Sequence, residues 1–286
     1  MANFILSAFA DEYSPILDKQ LEGLRTFGID KIELRGVDGK NVSELTAAEA
    51  KEVKNKLDAA GVTLSAVGSP LGKIGIDGDI AAHLELTRRV CETANILECD
   101  KIRGFSFYKT EGKREAVIDA LGKMLGICCG AGILYCHENE KGIYGDVPER
   151  CLDLKETFGE RIGVVFDHAN FIQCGVKPYE EALPLIAPHV DYLHIKDADA
   201  DGTVVPAGEG VGKIEDTLYV FDMHYAGDVI LTLEPHLHVF SGLDALENGE
   251  KTKLRGTYAT NEEAFAAAVG ALRAIIANAH ERHERT

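Results

Sequence analysis

The chain has 286 residues, 45% of them hydrophobic and 27% charged, without a low-complexity tract, which describes a folded body of enzyme size and excludes a disordered or fibrous protein. Lys and Arg total 30 against 47 Asp and Glu, and the resulting formal charge of −17 repels a phosphate backbone, so nucleic acid is not an expected partner. The opening MANFILSAFADEYS lacks a basic n-region and sets Asp11 and Glu12 straight after a short apolar run, so no signal peptide or membrane span is expected, and the expected location is the cytoplasm.

Taken in order, the chain repeats one unit about every thirty residues: an apolar run, a polar loop, an amphipathic helix, and a glycine before the next run. Strands are predicted at Phe4 to Phe9, Lys31 to Leu34, Val62 to Val67, Lys101 to Phe107, Ile133 to Glu138, Ile162 to Asp167, Tyr192 to Ile195 and Val229 to Glu234. Between them, Thr46 with Glu49 forms a capping-box pattern for a helix that Gly61 ends. Asp79 can cap a helix with Ile80, Leu84, Cys91 and Ala94 on one side, and Thr260 with Glu263 opens the last helix. Strict alternation argues for a parallel sheet, and eight strands with their helices close without an edge. The expected fold is α/β, a single (β/α)8 barrel domain over 1–286, with a long loop at 235–260 beside the barrel mouth. Seven cysteines without a C-x-x-C pair read as reduced thiols, with Cys99, Cys128, Cys129 and Cys136 at packing positions.

Four consecutive runs end in an ionisable residue: ILYCH leads into Glu138, IGVVF into Asp167, VDYL into His194 and VILTL into Glu234. Singly, such a tip is usually a solvated loop residue. On neighbouring barrel strands the C-terminal mouth makes all four converge, and converging carboxylates need a cation or must take up protons. Two glutamates, an aspartate and one imidazole suit Mn²⁺ first, with Mg²⁺, Co²⁺ or Zn²⁺ as alternatives, and suit a thiolate-seeking metal poorly. Glu140 is a rival to Glu138 two residues on, but the end of the apolar run favours Glu138.

HEN at 137–139, FD at 166–167, HIKDAD at 194–199 and LEP at 233–235, with FADE and IELR upstream, resemble the xylose isomerase-like sugar isomerase and epimerase barrels, a group that includes tagatose-type 3-epimerases and inosose dehydratases. The resemblance covers nearly the whole chain. It implies that Glu138, Asp167, His194 and Glu234 bind one divalent metal, that Glu138 and Glu234 also exchange the proton, and that the substrate is a small sugar or polyol. The implied reaction is isomerisation or epimerisation by proton abstraction beside a carbonyl, through an enediolate that the metal stabilises.

A period of two puts Lys196 on the face of His194 and His236 on that of Glu234, so both are candidates for substrate hydroxyls, as are Glu33 and Arg35 near the second strand tip. Arg103 reads as structural. Asn170 takes the position where family epimerases commonly carry a substrate-binding histidine, and Ala200 stands where they carry an arginine. The reaction therefore stays open between an isomerase and a lyase or dehydratase acting on a keto sugar, keto inositol or oxidised glycoside. A non-catalytic sugar-binding barrel is the alternative from another class. The related three-zinc apurinic endonucleases are disfavoured by missing histidines and by the acidic charge. Asp197, Asp199, Asp201 and Gly202 imitate the opening of a calcium loop but lack its closing ligand. PAGEGVGK, which fails the Walker pattern, reads as a mobile loop at the mouth. Monomer and homo-oligomer both remain open.

Overall fold

Eight parallel strands form where the apolar runs predict them: β1 (Ala2–Ala8), β2 (Lys31–Leu34), β3 (Thr63–Gly68), β4 (Lys101–Gly104), β5 (Leu134–Glu138), β6 (Ile162–Asp167), β7 (Val190–Ile195) and β8 (Gly227–Leu233). Each pairs with its sequence neighbours, and β8 closes on β1 from Ala2 opposite Gly227 to Ala8 opposite Leu233, giving a closed (β/α)8 barrel. The computed structural model describes residues 1–240, 243, 252–256 and 258–285. No helix among the described residues is long and apolar enough to cross a membrane.

The helices follow from local signals. The helix Ala47–Ala60 starts with the Thr46 hydroxyl accepting from the Glu49 N–H at 3.3 Å, while the Glu49 carboxylate accepts from the Thr46 N–H at 2.8 Å. It stops at Gly61, whose φ of +68° an L side chain would resist. Asp79 caps Ile80–Ile96 and Thr260 caps Asn261–Glu284. Replacing Thr46 by Ala should lower stability by about 1 kcal/mol, read as a lower urea midpoint with an unchanged slope.

Most strand ends lie within two residues of expectation, but β4 stops at Gly104 and not at Phe107. There the chain leaves the sheet: the Phe105 N–H donates to Leu71 O at 2.7 Å, and Phe107 takes a left-handed φ of +70°. The 71–72 and 105–107 turns interlock so tightly that a side chain at Gly72 would run into Phe105. All seven cysteines are free. Cys99, Cys128 and Cys136 are buried as expected, whereas Cys129 is exposed on the outer face of its helix.

Among the described residues, two of the apolar clusters matter for the site. The larger core lies between strands and helices and includes Leu57, Val90, Leu121, Leu218, Phe265 and Leu272. A small inner cluster of Ala66, Cys136, Val165 and Tyr192 plugs the barrel axis. Inward-facing positions farther along β5, β6 and β7, two residues on from Cys136, Val165 and Tyr192, are Glu138, Asp167 and His194. The barrel interior thus changes from apolar to ionic toward its C-terminal mouth.

Candidate metal centre

Strand register brings the four tips together. Asp167 pairs with His194 across β6 and β7, and His194 pairs with Thr232 on β8, so Glu234 projects inward two residues farther on. Glu138 on β5 pairs with Val165, two residues before Asp167, and the tilt of the strands makes up that stagger. One oxygen or nitrogen from each of Glu138, Asp167, His194 and Glu234 falls within 4.8 Å of the others, and all four residues are buried.

Each side chain has partners that fix its direction. His194 Nδ1 lies 3.0 Å from Glu138 Oε1 and 3.5 Å from Glu234 Oε2, while its Nε2 lies 3.0 Å from Glu33 Oε2. Asp167 Oδ1 accepts from the Asn170 N–H at 2.7 Å and so caps the short helix His168–Gln173. Its other oxygen is buried without a hydrogen-bond partner, 3.1 Å from Lys196 Nζ. Asn170 Nδ2 donates to Glu138 Oε1 at 3.1 Å. Asn139 extends the β5–β6 ladder with its side chain, accepting from the Asp167 N–H and donating to Asp167 O, both at 2.9 Å. Glu234 Oε2 accepts from Lys196 at 3.0 Å and Oε1 from Arg35 at 2.9 Å.

The charge balance favours a cation. Buried together are the six carboxylates of Asp11, Glu12, Glu33, Glu138, Asp167 and Glu234 and the three cations Arg35, Arg103 and Lys196, so without an ion the surplus of carboxylates has to be met by protons. Carboxylates crowded in this way hold their protons more tightly. Burial pushes Asp167 up to about 7 against the pull of Lys196, and pushes Glu12 up to about 8 against that of Arg35. Burial acts in the same sense on Glu138, but His194 and Arg103 together outweigh it and hold that carboxyl below its usual range. Burial likewise opposes charge on His194, yet Glu138 and Glu33 raise its pKa well above the ordinary value. The oxygen-rich donor set with one imidazole and the surplus of carboxylates over cations fit a hard divalent ion.

Above the cluster opens a cavity of about 520 Å³, with Glu138, Glu234, Lys196, Asn170, His236 and Arg35 on its wall. Asp167 and His194 lie beneath that wall. Glu33, a candidate for substrate contact, is not on the wall either. It is fully buried, and its carboxylate faces His194 Nε2, the Tyr192 hydroxyl at 3.2 Å and Arg103 at 3.6 Å. Glu140 stands outside the cluster, 2.9 Å from Lys73.

Arg103 departs from the structural role that the sequence suggests. It lines the cavity, with Nε 3.1 Å from Glu138 Oε2 and Nη1 donating to Ser69 O at 2.9 Å. Asp11 and Glu12 belong to the same buried network through Arg35, and with Asn139 they are the site residues that sequence reasoning missed. FADE and HEN were visible as motifs, but no spacing rule links residues 11 and 12 to residue 234.

The glycine-rich loop 206–213 is tied to one buried side chain. The Asp197 carboxylate accepts from the N–H groups of Gly208 at 2.9 Å, Gly210 at 3.2 Å and Gly212 at 2.9 Å, so this loop cradles the chain's own aspartate where a phosphate loop would hold an anion. Of the segment 235–260, residues 241, 242, 244–251 and 257 lie outside the described residues. Among the described ones, Leu243, Thr252 and Lys253 border the cavity, and the Phe240 ring lies 5.1 Å from the Arg35 guanidinium.

Among curated proteins, none matches this sequence at a significant level. Solved structures share the architecture at low identity. The IOLI protein with a bound zinc atom has a TM-score of 0.72 at 15% identity, over 96% of this chain and 98% of that one. D-psicose 3-epimerase in the presence of D-fructose has a TM-score of 0.70 at 16% identity, over 96% and 99%. The probable 3-DHS dehydratase AsbF from Bacillus anthracis has a TM-score of 0.70 at 13% identity, over 96% and 99%. At these identities the likeness speaks for the fold alone. The sequence profile for xylose isomerase-like TIM barrels, in contrast, matches residues 21–275. With that match spanning seven of the eight barrel strands, the chain belongs to the xylose isomerase-like TIM barrel family.

Proposed function

We propose that the chain is an isomerase or epimerase of a small keto sugar or polyol, dependent on one divalent ion, Mn²⁺ by first expectation, held by Glu138, Asp167, His194 and Glu234. The observation that carries this assignment is a division within the cluster: only the two glutamates reach the cavity wall, while Asp167 and His194 lie beneath it. Two residues would then serve as ligands alone and two as ligands and bases. When bound, the ion would polarise the substrate carbonyl and so acidify the neighbouring C–H.

The rest is work for the side chains. Glu138 ends β5 and Glu234 follows β8, three strands on, so one carboxylate can take the proton from one face of the carbon and the other can return it from the opposite face. Arg103 and Asn170 hold Glu138 in place, and Arg35 ties down Glu234 Oε1 so that Oε2 faces the cluster. Lys196, 3.0 Å from Glu234 Oε2, can donate to the oxygen on which enediolate charge develops. His236 and Asn170 are assigned to sugar hydroxyls. The chain is taken to act as one barrel domain, with the segment 235–260 bordering the substrate.

Glu33 is assigned a positioning role: by accepting from His194 Nε2 it would keep Nδ1 free for the ion. Glu33→Gln should therefore weaken Mn²⁺ binding by roughly 10–100-fold in a metal titration. Unchanged affinity would remove Glu33 from the assembly.

The function is tested by incubating Mn²⁺-loaded protein in ²H₂O with keto sugars, keto inositols and oxidised glycosides, followed by NMR and mass spectrometry. Incorporation of one solvent deuteron with mass otherwise conserved supports the isomerase or epimerase. A product lighter by water transfers the assignment to a lyase. Sugar binding with neither exchange nor turnover at full metal occupancy would mean a binding barrel.

A further inference from the structure

Next to the four-residue cluster stands a second convergence of metal-ligand types. Glu12, Glu234 and His236 are buried and place one ligand atom each within 4.8 Å of the others, with Glu234 common to both groups. His236 is 8% exposed. Its Nε2 is buried, has no hydrogen-bond partner, and lies 3.4 Å from Glu12 Oε1 and 3.5 Å from Glu234 Oε1. Its backbone holds a left-handed φ of +43°, and its N–H donates to Glu12 Oε2 at 2.7 Å. An imidazole in a strained backbone, aimed at two carboxylate oxygens without bonding to either, is the geometry of a ligand facing a cation.

The cation on that spot is Arg35. Its Nη1 donates to Glu234 Oε1 at 2.9 Å and its Nη2 to Glu12 Oε1 at 3.1 Å, the same two oxygens that His236 faces. Asp11 grips the other side of the fork, accepting from Nε at 2.9 Å and from Nη2 at 3.0 Å. The guanidinium also lies 4.2 Å from the Phe9 ring centre and 5.1 Å from that of Phe240. A planar, permanently charged group clamped by three carboxylates and flanked by two rings has little freedom to swing aside.

Resting on the assignment of one ion to the four-residue cluster, we propose that Arg35 is a built-in cation occupying what would otherwise be a second divalent-metal site, formed by Glu12, Glu234 and His236 and bridged to the first through Glu234. The guanidinium keeps the centre mononuclear. It also reserves one oxygen of Glu234 from metal, which keeps the opposite oxygen oriented toward the four-residue cluster. Removing it leaves three carboxylates and an imidazole around the vacated space, with Lys196 still on the far oxygen of Glu234, a set suited to Zn²⁺ or Mn²⁺.

The test is metal stoichiometry by elemental analysis after equilibration with excess Zn²⁺ and desalting, with thermal midpoint as a second readout. The wild-type chain should hold one ion and Arg35→Ala two, with a larger Zn²⁺-induced rise in midpoint for the variant. Arg35→Lys, which keeps a positive charge, should stay at one, and Glu12→Gln added to Arg35→Ala should return the count to one. Two ions in the wild type, or one in Arg35→Ala, would overturn the proposal. A wild type that takes none would instead defeat the metal assignment of the four-residue cluster. Should Arg35→Ala fail to fold alone, it is refolded with Zn²⁺: recovery with two ions supports the proposal, and no recovery counts against it.

Discussion

Replacing Glu138 or Glu234 by Gln should lower turnover on the order of 10²- to 10⁴-fold while most of the metal stays bound. Glutamine keeps the shape and one ligating oxygen but cannot accept a proton at working pH. The two variants should differ in which exchange survives. If each carboxylate serves one face of the carbon, the chain lacking Glu138 should still exchange the proton that Glu234 reaches, and the reverse, so each variant washes deuterium into one epimer without converting it to the other. NMR of both epimers in ²H₂O checks this directly. Near-normal turnover in both metal-loaded variants would end the two-base mechanism, and loss in only one would favour a lyase, which needs a single base. The environments support unequal losses: Glu138 is held by Arg103 and Asn170, whereas Glu234 shares its charge with Lys196 and Arg35.

Asp167→Ala and His194→Ala should each empty the metal centre, with a loss of affinity beyond the roughly 10–100-fold expected for an outer partner such as Glu33. The two should differ in stability. His194→Ala removes the imidazole between Glu33 and Glu138 and leaves Arg103 as the cation shared by both, so its cost should approach, without reaching, the roughly 3–5 kcal/mol of a buried charge stripped of its partner. Asp167→Ala removes the cap on His168–Gln173, worth about 1 kcal/mol, and relieves a carboxyl that burial already disfavours. Asp167→Asn separates the effects, because Asn can still cap the helix but brings no charge. It should keep the thermal midpoint near that of the metal-free wild type and still bind metal poorly. Full metal retention in all three variants, by elemental analysis, would sink the ligand assignment.

The fold and the four tips were legible because both depend on local pattern. A strand buried on both sides must be a continuous apolar run, and the first ionisable residue after it marks the place where the sheet gives way to the mouth. A period of two then carried Lys196 and His236 into the same space. Arg103 was not legible in this way. A barrel strand has an apolar outer face and an inner face that changes from apolar to ionic along its length, so an arginine in a short run fits an outer anchor as well as an inner wall. Glu33 was placed near the right tip but at the wrong depth. The register between β2 and β3 shifts between Ile32 and Glu33, an irregularity that no alternation pattern reports, and that depth decides whether the carboxylate meets solvent or His194.

By itself, then, the order of residues determined which segments become strands, which helices are capped, and which four side chains stand at the ends of neighbouring strands, since each of these is set within a few residues by burial and hydrogen bonding. Only the tertiary structure decided the rest: that Asp11 and Glu12 meet Glu234 through Arg35, that Asn139 and Asn170 brace Asp167 and Glu138, and that the glycine-rich loop folds around Asp197. Those contacts span up to 223 positions, from Asp11 to Glu234, and the longest of them exist because β8 closes on β1. Ring closure fixes the distance between residues that the chain leaves far apart, and in a barrel mouth that distance determines which charges neutralise one another and where a cation is still needed.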